Sequence, residues 1–168
     1  MNRQTPMKPE DDIRETPPEL FAALHARFHF TLDACATPQN AKLPRFNSEA
    51  EPDKFAWRGE RVFFNPPFSQ CREWVVKGWI GEAELAVGLV PATRTEQPWW
   101  HELIEPYRDR RDTENLRTEF LKGRIKFLEN GGPIYRKNKD GTLWINPKTG
   151  EPQISSPKFG CVLLIWGR

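Results

Sequence analysis

At 168 residues the chain is long enough to bury one core of ordinary domain size, and its formal net charge of +2 with 29% charged residues neither demands nor excludes a polyanionic partner. Three cysteines without a C-x-x-C pair argue against a disulfide framework and against a zinc site, and for a reducing compartment. No signal-type leader and no run of about 18 apolar residues is present, so the expectation is a soluble intracellular protein with no membrane partner.

Seven Trp and eleven Phe with 16 Pro and 11 Gly predict an aromatic core and long loops between short elements. Residues 1–15 are polar, with Pro6 and Pro9, and are expected to form a flexible arm before a single domain over 16–168. Thr16-Pro17-Pro18-Glu19 has the form of a helix start, with Thr16 as N-cap and Glu19 completing a capping box. Leu20, Phe21, Leu24 and Phe28 continue at helical spacing to about His29.

A short strand is predicted over 30–36, with Asp33 followed by Ala34, Cys35 and Ala36. Small side chains let a ligand approach the backbone, and Asp33 suits either a ligand amine or hydroxyl pair or the capping of its own loop. No G-x-G-x-x-G occurs, so a dinucleotide site is not supported. Residues 37–60 read as irregular, anchored by Phe46, Phe55 and Trp57. Long loops in compact domains tend to be functional, and Asn40 and Asp53 are the polar candidates here.

Arg61 to Gln70 is the stretch around which the chain is organised: an apolar strand running into Asn65-Pro66-Pro67-Phe68. The prolines give no N–H and press the preceding residues towards extended geometry, which leaves the Asn65 and Pro66 carbonyls free of crowding donors. Asn65 adds a side-chain acceptor and Phe68 a flat apolar face. Two acceptors beside an aromatic plate suit a planar ring carrying an exocyclic NH2, and the alternative reading is a plain turn. Position favours the former, because open α/β sheets bind ligands at the carboxyl ends of their strands.

Ser69 is expected to cap a helix over 70–82 with Trp74, Val75, Gly78 and Trp79 on one face. The strand over 85–91 has too few polar residues to be half exposed and is read as central and parallel. Arg94 in the following turn suits a phosphate contact or a surface ion pair. A helix over 98–104, with His101 on its face, leads to a charged connection over 108–117. A strand over 119–127 is predicted to carry Lys122, Arg124 and Lys126 on one face, and a buried strand over 161–166 closes the chain.

Between those two strands lies an insertion, 130–158. Ile134 to Lys137 and Thr142 to Ile145 flank Asn138-Lys139-Asp140-Gly141, a hairpin signal. Five Lys/Arg against two acids, with Tyr135 and Trp144 interleaved, suit a nucleic-acid groove, the alternative being a solubilising hairpin.

The residues so placed describe an α/β domain, and together they resemble a known family, the compact phage-type DNA N6-adenine methyltransferases, or Dam family. The resemblance rests on Thr16-Pro17-Pro18, Thr31 to Ala36 with Asn40-Ala41-Lys42, Trp57, Asn65 to Phe68, Trp74-Val75, Leu89-Val90-Pro91, Trp99-Trp100-His101 and Gly123 to Phe127. It runs in order from about Thr16 to Trp166, and only the basic insertion falls outside it.

The resemblance implies a class I, Rossmann-like methyltransferase fold, compact, with a mostly parallel sheet and a carboxyl-terminal antiparallel hairpin. It implies S-adenosylmethionine as methyl donor, double-stranded DNA as substrate, no metal, and a cytoplasmic location in a bacterial host as a phage or prophage product. Asn65, Pro66, Pro67 and Phe68 then form the adenine site. Thr16, Asp33, Ala34, Cys35, Asn40 and Asp53 are the candidate cofactor contacts. Arg94, Arg124, Lys126, Tyr135, Arg136, Lys137 and Trp144 are the candidate DNA contacts. The rival readings are methylation of cytosine N4, of an RNA base or of a protein glutamine, and a non-catalytic DNA-binding module on the same fold.

Overall fold

The computed structural model describes residues 14–47, 56–110 and 115–167. The expected arm as far as Ile13, the anchor Phe55 and the candidate Asp53 lie outside the described residues. The elements run α1 (Pro18–Phe28), β1 (Leu32–Asp33), β2 (Arg61–Phe64), a 3-10 turn (Phe68–Gln70), α2 (Cys71–Ile80), β3 (Leu85–Pro91), α3 (Pro98–Leu103), β4 (Leu116–Phe120), β5 (Leu128–Glu129), β6 (Gly132–Pro133) and β7 (Cys161–Gly167).

α1 forms where helical spacing predicts it, burying Phe21, Leu24 and Phe28. Its N-cap is Pro17, not Thr16. Prolines at the first two positions after Thr16 have no N–H to offer a capping hydroxyl, and the Pro17 carbonyl instead accepts the Phe21 N–H at 3.0 Å. Similarly, Ser69 does not cap α2. A 3-10 turn occupies Phe68–Gln70, and Gln70 takes the N-cap position of a helix that ends at Ile80.

The main sheet has the order β1-β2-β3-β7-β4. β1, β2 and β3 are mutually parallel, while β7 lies antiparallel to both β3 and β4. β3 is buried at every residue, as its unbroken apolar run requires of the middle strand. β1 is shorter than predicted. Beyond Asp33 its outer edge is covered by the 42–47 loop, through the Asp33 N–H on the Arg45 carbonyl and a parallel bridge from Asp33 to Phe46.

β4 starts earlier and ends earlier than its predicted 119–127. Leu116 is buried and pairs with Trp166, which draws the strand into the stretch read as a charged connection. Gly123, with φ of 79°, stands beyond its end, in backbone that favours glycine. Lys122, Arg124 and Lys126 are therefore exposed on an irregular segment and not on a strand face.

The core is aromatic. Phe64, Trp57, Trp74 and Trp166 form one cluster with ring centroids 5.4 to 6.3 Å apart, and Phe21, Phe28, Phe30 and Phe63 form another at 5.2 to 5.9 Å. Burial pushes the Cys161 thiol up to about 12. Among the described residues no helix is long and apolar enough to cross a membrane.

Candidate functional site

Because β1, β2 and β3 are parallel, the residues after Asp33, Phe64 and Pro91 leave the sheet at one edge. The reversed β7 brings its entrance, Phe159 and Gly160, to the same edge, where the Ala92 N–H donates to the Gly160 carbonyl at 2.9 Å. The end of β4 arrives there too, Leu121 donating to the Cys161 carbonyl at 2.9 Å. The sheet thus gathers Asp33, Asn65, Arg94 and the roots of the insertion on one rim.

Asn65 follows the last residue of β2. Its Nδ2 donates to the Arg14 carbonyl at 2.5 Å and to the Thr16 hydroxyl at 3.1 Å. A carbonyl can only accept, so the amide orientation is fixed by its partner. The consequence falls on the other side of the group: Oδ1 is buried and has no hydrogen-bond partner. Leaving a buried acceptor unpaired costs about 1 to 3 kcal/mol, which a ligand's donor would recover.

The segment that fixes Asn65 is itself held. Glu15 exchanges two backbone hydrogen bonds with Leu128, at 2.9 and 3.0 Å, and its carboxylate accepts the Gly131 N–H at 3.3 Å. Sequence reading missed Arg14 and Glu15, which it assigned to the arm. A backbone carbonyl has no residue signature by which its role is legible.

Pro66 is buried, and Pro67 gives its carbonyl to the Gln70 N–H at 2.8 Å. Phe68 is buried too, its ring met edge-on by Phe127 at 5.8 Å and Phe159 at 5.4 Å. Those two rings were also missed. Each comes from a root of the insertion, and only the fold brings them together.

Asp33 is 3% exposed. Burial raises its carboxyl above the usual range, opposed by hydrogen bonds from the Lys42 and Cys35 N–H groups. The Lys42 contact is 2.9 Å. Asp33 therefore pins both ends of the 34–42 loop. Asn40 helps from within, its Oδ1 accepting the Thr37 N–H at 2.7 Å. Ala34 and Ala36 are buried and Cys35 is half-buried, so a small-residue backbone lies between β1 and that loop.

Of the candidate DNA contacts, Arg94 is half-buried in the turn after β3, and Arg124 and Lys126 are exposed. The insertion is not a simple hairpin. Bridges join Lys137 to Leu143, Ile145 to Pro152 and Tyr135 to Ile154, so three segments pair all round. A closed backbone triangle holds them: Arg136 donates to Gln153 at 2.9 Å, Gln153 to Trp144 at 3.0 Å and Trp144 to Arg136 at 2.9 Å. The Arg136 guanidinium lies 4.6 Å over the Trp144 ring, while Tyr135 and Lys137 are exposed.

No curated protein and no solved structure matches the chain. One family model does, described as DNA N-6-adenine-methyltransferase (Dam), and it covers residues 3–166. The matched span runs from before the Asp33 loop to within β7, and on its extent the chain belongs to the Dam family of DNA N6-adenine methyltransferases.

Proposed function

We propose that the chain transfers a methyl group from S-adenosylmethionine to N6 of an adenine flipped out of duplex DNA, on a class I, Rossmann-like fold. The observation that carries this reading is the orphaned Asn65 Oδ1, a buried acceptor on the rim where parallel strands β1 to β3 end. An open parallel half-sheet with its polar residues at the carboxyl edge supports that fold class.

The cofactor supplies an electrophilic sulfonium methyl. Thr16, Asp33, Ala34, Cys35 and Asn40, with Asp53, are the residues that would hold it. The described ones fit the group: the 34–36 backbone is lined by small side chains and pinned by Asp33, and the Thr16 hydroxyl, which accepts from Asn65, keeps its own hydrogen to donate.

N6 of adenine is a poor nucleophile because its lone pair is delocalised into the ring. Asn65 Oδ1 and the Pro66 carbonyl accept its two hydrogens, which draws the nitrogen towards tetrahedral geometry and turns the lone pair out of the ring plane. The surplus proton leaves to water. Phe68 offers the flipped base a stacking face, and the base reaches it by displacing the half-buried Phe159. Arg94, Arg124, Lys126, Tyr135 and Lys137 contact the DNA, the cations by neutralising phosphates, while Arg136 stacked on Trp144 supports the insertion from its other face.

The test is to incubate duplex DNA with the protein and isotopically labelled S-adenosylmethionine, digest to nucleosides and identify the labelled one. N6-methyldeoxyadenosine is expected; label on cytosine, or none, overturns the proposal. Asn65→Ala is expected to lower the rate by a factor of about 10² or more while calorimetry still registers cofactor binding.

A further inference from the structure

The three-segment insertion has two unlike faces. Residues directly opposite in an antiparallel pair share a face, and so do residues two apart along a strand. The bridges Tyr135–Ile154, Lys137–Leu143 and Ile145–Pro152 therefore place Tyr135, Lys137, Leu143, Ile145, Pro152 and Ile154 on one face. The alternate residues Arg136, Trp144 and Gln153 take the other. There Arg136 packs over Trp144, and Gln153 Oε1 accepts from Asn146 at 3.0 Å.

The apolar face is the more exposed: on the other, Arg136 is exposed while Trp144 and Gln153 are half-buried. Tyr135, Leu143, Ile145 and Ile154 are 37%, 43%, 48% and 36% exposed. They make up most of the exposed large apolar side chains among the described residues, the others being Ile80, Tyr107 and Phe120. Four large apolar side chains exposed on one face of so small a unit mark a contact surface.

We propose that this face docks in a groove of duplex DNA, an inference that rests on the proposed function and extends it. Charge chooses the partner. Residues 130–158 carry five Lys/Arg against two acids, which attracts a polyanion and repels a second copy of the same unit. Place agrees with charge: Phe127 and Phe159, at the two roots of the insertion, both touch Phe68, so DNA presenting a base to Asn65 passes the insertion. Apolar side chains meet thymine methyls, sugars or opened base steps within a groove, whereas lysines alone would only follow phosphates. Arg136 and Trp144 brace the opposite face, and Leu143, Ile145 and Ile154 make the contact.

The measurement is duplex affinity by fluorescence anisotropy across a salt series for the wild type and for Leu143→Ser/Ile145→Ser. A loss of about tenfold with an unchanged salt slope is expected, because the change removes apolar contact and no cation. Lys137→Ala, by contrast, is expected to reduce the slope by about one. Should the serine variant disturb the unit, a second protein settles the matter: residues 135–154 are replaced by a Gly-Ser linker across the ends, where the Ser155 N–H already meets the Ile134 carbonyl at 2.7 Å. It should bind S-adenosylmethionine like the wild type and duplex DNA much more weakly. Unchanged duplex affinity in both variants, or a change in sedimentation showing that the face joins two copies, overturns the docking surface while a methylating wild type leaves the proposed function standing. A wild type that neither binds nor methylates DNA overturns both.

Discussion

Asn65 is divided between two tasks by its own chemistry. An amide has a donor end and an acceptor end; the donor end is consumed by Arg14 and Thr16, and the acceptor end is what remains for a substrate. An aspartate here would turn a carboxylate oxygen against the Arg14 carbonyl, two acceptors with no hydrogen between them, so the choice of Asn follows from the segment lying across it. Thr16→Val removes one of the two anchors. The expected cost of about 1 kcal/mol in holding the amide amounts to roughly a fivefold lower kcat, restored by Thr16→Ser. If Thr16→Val weakens cofactor binding by calorimetry and leaves kcat alone, the hydroxyl serves only the cofactor. The identity of Asn65 was legible because a strand running into Asn-Pro-Pro-Phe is written in side chains. Its restraint by a carbonyl at Arg14 was not, since every residue has one.

Elements were legible in proportion to how completely they are buried. β2, β3 and β7 are apolar runs whose burial on both faces leaves no other reading, and α1 shows its stripe of Phe21, Leu24 and Phe28. β4 is half exposed, with only Leu116 fully covered, so its residues follow the pairing that β7 offers and not their own alternation. The insertion hid its third segment because Pro152 to Ile154 carries no hairpin signal. Close packing between strands calls for a glycine at one position. Gly88 of β3 lies opposite Phe64 of β2, and a Cβ there would stand 2.4 Å from the Phe64 ring. Gly88→Ala should therefore destabilise by about 1 to 3 kcal/mol through overpacking, measurable as a lower urea midpoint with an unchanged slope. A wild-type midpoint would mean that the Phe64 ring has room to turn aside.

At the scale of the molecule, Arg27 of α1 holds Glu119 of β4 through paired hydrogen bonds of 2.6 and 2.5 Å, joining residues 92 positions apart. The guanidinium keeps the Glu119 carboxyl below its ordinary value. A carboxylate with a lowered folded pKa adds stability above its unfolded pKa and loses it as the pH falls through the folded one. Both side chains are substantially exposed, so the contribution is under about 1 kcal/mol. Glu119→Gln should cost that much at neutral pH and nothing once acid has protonated the folded carboxylate, as thermal melts in neutral and in acid solution would register. A difference that persists in acid would assign the pair a packing role instead.

The place of β7 in the sheet governs the order in which this protein is able to be born. β7 comes last along the chain yet lies between β3 and β4, pairing with seven residues of one and five of the other. During synthesis β3 is made midway and its second edge stays open for some seventy residues of further translation, with every side chain on it destined for burial. An open apolar edge is a template for pairing with another chain. The nascent protein thus carries an aggregation hazard of its own through that interval, until β7 closes it.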